Sequence, residues 1–424
     1  MNKLNKKNHY DVIIVGSGTC GATIARELCK QHKKVLVLEK GSNKRLSETL
    51  LGMAPILNEV SVAPNMKDMR AITAGGTSAV YFAVAATPPF DTFKSLGIDL
   101  EDVYEEASKE LPLDYLPDEL FGPQTLRLRD SAKELGHDWE KQPMLVDQSK
   151  CKSGYSYEAK WKAKSYLEDA IKDGAEVRYK ADVTRILFDN NKAIGVEYKS
   201  SKKSSKPADQ VFGDKIILSA GVLATPKILK DNGVNNVGNK GFYFDPNQVL
   251  FGLIPGLKSK GNFIGAMETY IEDDISLGDA NVPGIFYRLL MLSLFKPKHL
   301  FSYSNSIGIG VKVHEPMGGE VKENGEYHKE LSKEVFEKLE KGEKEAIRIL
   351  KNAGARDIVK SPVNVTSTGG LLQINEHVDS NLQTQFENLF VCDRSILPHT
   401  FRKPPTLTLV CLGKYLAKHL SSLN

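Results

Sequence analysis

Gly16-Ser17-Gly18-Thr19-Cys20-Gly21, with Glu39 and Lys40 further along, is the set of residues in this chain best suited to hold the phosphates and ribose of a dinucleotide. Gly16 permits a tight turn, Gly18 lets backbone approach a pyrophosphate, and Gly21 lets the next helix lie close to the strand before it. The free N–H groups of that helix start, backed by its dipole, suit the phosphates. Glu39 can accept from a ribose 2′-hydroxyl, and an acid followed by Lys40 fits an adenosine ribose without a 2′-phosphate better than one carrying it. A second cluster, Gly75-Gly76-Thr77-Ser78, can bring main-chain donors to a phosphate or a flavin ring; the plainer alternative is a tight loop.

These residues need a scaffold, and the neighbouring sequence supplies one. Asp11-Val-Ile-Ile-Val15 is a continuous apolar run that predicts a buried strand; Ala25 and Leu28 predict a helix facing the sheet, and Val35-Leu-Val-Leu38 a second strand ending at Glu39. Lys160 to Ile171 has the spacing of an amphipathic helix. It leads to the strand Ala175–Tyr179 and to two strand-like runs separated by Asp189-Asn-Asn, which read as a β-hairpin. Lys199 to Asp209 is a polar lysine-serine loop, after which Lys215–Gly221 is another buried strand. Asn388–Asp393 is a strand ending in an acid, and Pro404-Pro405-Thr406 opens a terminal helix, where proline's missing N–H would be unpaired in any case. The fold class is therefore α/β: a Rossmann-type nucleotide domain with a second domain of β-sheet and helices. The expected division is 8–90, 160–240 and 361–424 for the nucleotide domain, with 91–159 and 241–360 as the substrate or cap domain. Within the latter, residues 285–301 are dense in large apolar side chains with basic punctuation, giving either a core helix or a lipophilic, interfacial patch.

At 424 residues the chain exceeds one compact core. Its 41% hydrophobic and 26% charged residues describe an ordinary globular protein, and a net charge of +4 gives no signature of nucleic-acid binding. Five irregularly spaced cysteines fit free thiols in a reducing compartment. The polar Met1–His9 segment has no leader-like apolar stretch, and no segment approaches the ~20 apolar residues of a membrane span, so a cytoplasmic, at most membrane-peripheral, protein is expected.

Taken together, Asp11–Gly21, Gly75–Ser78, Ile217–Pro226, Asn388–Pro398 and Pro405-Thr-Leu-Thr408 occur in an order that resembles the glucose-methanol-choline (GMC) family of FAD oxidoreductases, most closely its compact microbial and archaeal branch. The resemblance implies FAD, with its ADP half on Gly16, Ser17, Gly18, Thr19, Cys20, Gly21, Glu39 and Lys40 and the backbone of Val183 near the adenine. It implies Gly75, Gly76 and Ser78 near the pyrophosphate or flavin, Ala220 in the cofactor-binding set, Asp393 by the ribityl-phosphate region, and Pro405 and Thr406 near the pyrimidine edge. It also implies hydride transfer between the CH–OH carbon of a small, fairly apolar substrate and flavin N5, with an electron acceptor the sequence does not name. No histidine lies near Gly75-Gly76, so non-covalent flavin is expected.

The chain departs from the family at the catalytic centre. Members carry a histidine shortly before the glycine pair that here is Gly369-Gly370, and Ser367 stands nearest that position; Pro404 replaces the usual asparagine or second histidine. His399, between the Asp393 strand and the terminal helix, is the leading substitute, with His314 and His377 weaker. Cys151 is alone in a segment where compact relatives can carry several cysteines, so no metal is expected. Loss of the standard pair keeps open alkene reduction, isomerisation or a lyase step on the same fold, or flavin binding without turnover. An NAD dehydrogenase would leave Gly75–Ser78 and the C-terminus unexplained.

Overall fold

The computed structural model describes residues 9–152, 154–200, 208–322 and 326–423. Most of the lysine-serine loop and all but the last residue of the Met1–His9 segment lie outside these. In chain order the elements that build the site are strand β1 (His9–Val15), helix α1 (Thr19–Cys29), strand β2 (Val35–Glu39), the hairpin β3 (Leu57–Ala63) and β4 (Met66–Ala71), and the strands β5 (Glu176–Tyr179), β6 (Asp182–Asp189), β7 (Lys192–Lys199) and β8 (Asp209–Leu218). There follow β9 (Phe242–Leu253), helix α2 (Gly284–Ser293), β10 (Ser306–Val313), helix α3 (Lys333–Asn352), β11 (Asn364–Gly369), β12 (Leu389–Val391) and helix α4 (Thr406–Ser422).

The first sheet runs β5-β2-β1-β8-β7-β6, with β12 also paired to β8. β5, β2, β1, β8 and β12 are parallel neighbours; β6 and β7 form the antiparallel hairpin expected around the asparagine turn, with Asn190 at φ 52°. Strands covered on both faces read as unbroken apolar runs, and every residue of β2 and β12 is buried. Helix α1 packs beside α4 in the same direction: Cys20 Sγ donates to Leu409 O at 3.2 Å, a Cβ on Gly413 would lie 2.9 Å from Thr23 Cβ, and Lys414 Nζ reaches Glu27 at 3.4 Å. The two helices therefore start side by side.

The second sheet is antiparallel and organised on β9, which pairs along one edge with β10 and Glu315–Gly318 and along the other with Arg356–Lys360 and β11. Helix α3 covers it; Gly342 sits so close to Val311 that a Cβ would come within 2.4 Å. Phe93, Ile98, Leu100, Val103, Ala107 and Leu111 belong to the core of the first sheet, whereas Leu116, Leu128 and Trp139 pack with the second. Helix α2 is not a core helix. It buries only Tyr287 and Met291, while Leu292, Phe295 and Phe301 are 60%, 89% and 87% exposed. The hairpin β3–β4 was not foreseen; it packs against β11 and against the turn that follows Gly75.

Candidate active site

The first glycine turn is built as its residue types require. Gly16 has φ +99°, and a Cβ there would lie 2.4 Å from Ser219 O; a Cβ on Gly21 would meet Gly16 O at 2.1 Å. Gly18 faces open space, with nothing within 4 Å of an added Cβ. It is the N-cap of α1 and supplies no side chain to cap the first N–H groups, so those of Thr19, Cys20 and their neighbours remain for a ligand. Gly76, at φ +56°, lies against this turn: its added Cβ would be 3.0 Å from Gly18 Cα, and Gly75 N donates to Ser17 Oγ at 3.2 Å. Ser78 is buried and closes the second turn, donating to Gly75 O (2.6 Å) and accepting from Ala163 N (2.9 Å). The two glycine clusters are thus one continuous main-chain cradle.

Glu39 is buried at the end of β2. Its Oε2 accepts from Ser17 N (3.0 Å) and Ser17 Oγ (2.6 Å), and its Oε1 from Gly41 N (2.6 Å). Burial pushes this carboxyl above the usual range and the hydrogen bonds from Ser17 and Gly41 oppose the shift. Three of roughly four acceptor positions are filled, leaving one for a ribose hydroxyl. Ala181 N donates to Glu39 O at 2.9 Å, which brings Val183, two residues on, to the same edge. Lys40 instead pairs with Asp182 at 2.9 Å.

Asp393, next but one after β12, is a junction. Its Oδ2 accepts from Gly221 N (2.9 Å) and Thr225 Oγ1, and its Oδ1 from Ser395 N (2.8 Å) and Ser395 Oγ (2.6 Å). The carboxylate is fully used by the protein, so any contribution it makes to a cofactor is through the loops it fixes. Ala220 N donates to Thr225 Oγ1 in the same network, and Gly221, at φ +96°, opens onto empty space. Pro405 is the N-cap of α4, again without a side-chain cap, and Thr406 is its buried first residue. The carboxyl ends of β1, β8 and β12, the starts of α1 and α4, and the Gly76 turn define one crevice, the usual ligand position in an open parallel sheet.

Of the histidines, His399 is exposed in the turn before α4 and makes no hydrogen bond among the described residues. His377 is buried, accepting from Gln373 N at 3.1 Å, with Nε2 unpaired. His314 is buried against Asp245, Nδ1 to Oδ1 at 3.1 Å, beside the Tyr243 ring. Ser367 has φ +65° inside β11, where the register with β9 slips between Tyr243 and Asp245, making a bulge of the kind that re-aims side chains next to active sites. The sequence reading missed Asp68 on β4, partly buried beside Thr368 and Arg394. Its only local signal was the turn Pro64-Asn65 between two short runs, with Asn65 at φ 59°. No group of three or more potential metal ligands occurs among the described residues, and all five cysteines are buried free thiols.

The sequence profile of the GMC oxidoreductase family matches residues 10–241. The chain is 25% identical to an uncharacterized protein of Methanocaldococcus jannaschii over 97% of this chain and all of that one, and 24% identical to the long-chain-alcohol oxidase FAO3 of Arabidopsis thaliana over 97% of this chain and 68% of the other. Its fold matches the solved structure of pyridoxine 4-oxidase from Mesorbium loti with a TM-score of 0.72 at 15% identity, covering 97% and 99% of the two chains. FAD fits the cradle: open backbone at Gly18 and Gly221, two uncapped helix starts, and a buried acid with one acceptor position to spare. The chain belongs to the GMC oxidoreductase family and is an FAD-binding flavoprotein.

Proposed function

We propose that the protein oxidises the CH–OH group of a fairly apolar small molecule, with FAD taking the hydride. The observation that carries the reading is the pair of uncapped helix starts, α1 and α4, lying side by side at the sheet's carboxyl edge. Each helix start presents roughly +0.5 of an elementary charge. The first suits the diphosphate, and the second stabilises negative charge developing on a reduced ring. FAD supplies the redox chemistry; this chain's residues position it and handle the substrate proton. Anaerobic stopped-flow with primary alcohols of increasing chain length tests the proposal. Bleaching of the flavin that becomes faster with chain length supports it, and a flavin that no alcohol reduces would turn the assignment toward a lyase or isomerase.

The apolar substrate class is supported by the surface around α2. Leu292, Phe295 and Phe301 project into water, and Phe295 does so from a left-handed backbone (φ 54°) at a helix end where glycine is the unstrained choice. Arg288 and Lys296 stand in the same segment and form no ion pair among the described residues. Exposed aromatic side chains with unpaired cations match a bilayer bearing anionic headgroups. We infer that this face docks the enzyme on such a membrane, where a lipophilic alcohol would be drawn from the lipid. Among the described residues no helix is long and apolar enough to cross a membrane, so the contact is peripheral through this face.

A further inference from the structure

The family's catalytic histidine position is a serine in a bulge, and the site before α4 is Pro404. Alcohol oxidation still requires a group to take the hydroxyl proton, and a positioned base contributes typically ~10²–10⁴-fold. His399 is exposed with no partner to orient it among the described residues, and His377 is held by the backbone of its own loop.

The two faces of the second sheet differ. On one, Leu250, Ile309, Val311 and Val313 are fully buried in the core that α3 covers. Side chains alternate along a strand, so Tyr243, Asp245 and Asn247 of β9, Lys312 of β10 and His314 just beyond it lie on the other face. That face is only partly covered: Asn247, Val249, Gly310 and Lys312 all keep some exposure. Tyr270 of the strand Met267–Glu272 is on it too, paired with Ser276, which is in turn paired with Lys312. Two contacts set this face opposite the chain that leads from Asp393 into α4. Tyr243 Oη comes within 3.5 Å of Leu397 O, and Lys403 Nζ lies 5.7 Å from the centre of the Tyr270 ring. His314 stands between these two contacts, across from the turn that starts α4. At the far end of the same face Phe251 packs on Tyr287 and Met291 of α2, about 20 Å along β9 from Asp245 at ~3.3 Å per residue.

His314 Nδ1 and Asp245 Oδ1 are 3.1 Å apart, and the two side chains are only 9% and 7% exposed. Asp245 is opposite Thr366, so the pair lies beside the Ser367 bulge, with the Tyr243 ring 5.7 Å from the imidazole. A carboxylate accepts and does not donate, which fixes the ring proton on Nδ1 and leaves the lone pair on Nε2. Nε2 makes no hydrogen bond among the described residues and still reaches solvent, unlike the sealed Nε2 of His377.

We propose that His314 is the proton acceptor of this enzyme and that Asp245 is its positioning residue. The proposal rests on the alcohol-oxidising reading above. The substrate hydroxyl gives its proton to His314 Nε2 as the C–H electron pair and its hydrogen leave as hydride to FAD, and C–O becomes C=O. Asp245 accepts from Nδ1–H throughout and balances the imidazolium charge. The proton passes from Nε2 to solvent when the carbonyl product departs. A lipophilic alcohol entering beside α2 lies along the half-open sheet face with its hydroxyl at His314.

The test compares wild type with His314→Gln, each checked for FAD content. Anaerobic flavin reduction by a long-chain primary alcohol is expected to slow ~10²-fold or more in the variant. Nitrogen NMR of histidine-labelled holoenzyme gives a readout apart from turnover. A tertiary alcohol of equal chain length has no hydrogen on its carbinol carbon and cannot give hydride; its addition should displace the Nε2 signal that His314→Gln removes. Equal reduction rates, or an Nε2 signal that the tertiary alcohol leaves in place, overturn the assignment while the alcohol reading stands. If no alcohol reduces the wild-type flavin, both fall. Should His314→Gln fail to retain FAD, Asp245→Asn decides, since its amide oxygen can still accept from Nδ1–H. A slowed rate with a displaced Nδ1 signal supports the assignment, and an unchanged rate or an unmoved signal overturns it.

Discussion

Replacing Phe295 and Phe301 together by serine tests the membrane-docking face with little risk to the fold. Both rings are nearly 90% exposed, so truncation removes almost no area buried on folding. Tyr287 of the adjoining helix α2, fully buried, would not be a clean probe. Transfer of a phenylalanine side chain from water to an apolar phase is worth ~1.5–3 kcal/mol, so two rings that enter the acyl region forfeit roughly 4 kcal/mol when removed. Since about 1.4 kcal/mol is tenfold in affinity, that is close to a thousandfold; if only half of each ring enters, the loss is about thirtyfold. Flotation with vesicles containing a third phosphatidylglycerol measures the partition directly. The unpaired Arg288 and Lys296 add an anionic-lipid preference of about 1 kcal/mol each that weakens with salt. A double variant that partitions like wild type refutes the docking face, as does a wild type that binds neutral and anionic vesicles equally.

Gly18→Ala and Gly76→Ala should part company: the first meets no protein atom and should leave the stability of the FAD-free protein unchanged while weakening FAD binding, and the second, at φ +56° and 3.0 Å from Gly18, should lower both. Calorimetry of each protein with and without FAD separates the effects. Asp393→Asn leaves an amide N–H₂ facing donors from the Gly221/Thr225 or Ser395 side, at about 1–3 kcal/mol for each unsatisfied group, and is expected to lower Tm and FAD retention together. Asp279 is buried with its oxygens accepting from Met267 N and Asn262 Nδ2, and burial raises it to about 7 from an ordinary 3.8. Between about pH 4 and about pH 7 the folded state holds a proton that the unfolded chain has released, so the stability from this group falls as pH rises through that window. Tm of wild type minus that of Asp279→Asn should therefore decline from pH 4.5 to 7.5, and a flat difference would contradict the assignment.

The parallel core was readable because its signals are local. An unbroken run such as Val12–Val15, a Gly16 that must turn and a Gly21 that must pack are each decided within a few residues, and the structure has them in place. The Asn190 turn and the Pro405 helix start are local in the same sense. What escaped the sequence depends on partners far along the chain. Lys40 pairs with Asp182, and Asp68 meets Thr368 and Arg394 some three hundred residues away; neither pairing leaves a mark in the residues nearby. Hairpin β3–β4 was missed because polar residues occupy both of its faces, so the alternation that marks a half-buried strand is muted. Helix α2 misleads in the opposite way, since its apolar composition suggests a core element while its placement leaves much of it in water.

The two acids read as cofactor ligands turn out to spend most of their capacity on the protein. Asp393 is filled by four donors and Glu39 by three, and Ser78 is closed into its own turn. What they organise is backbone: the open edges at Gly18 and Gly221, and the starts of two adjacent helices. On the proposed placement, recognition of the FAD diphosphate would rest on fixed main-chain dipoles, which need no reorganisation when the ligand arrives. The buried Thr368 Oγ1 on β11 and the buried Arg394 Nε, next after Asp393, find no hydrogen-bond partner among the described residues. Acids already satisfied by the protein hold those backbone edges in place before any ligand arrives, which is the preorganisation a fixed cofactor site needs.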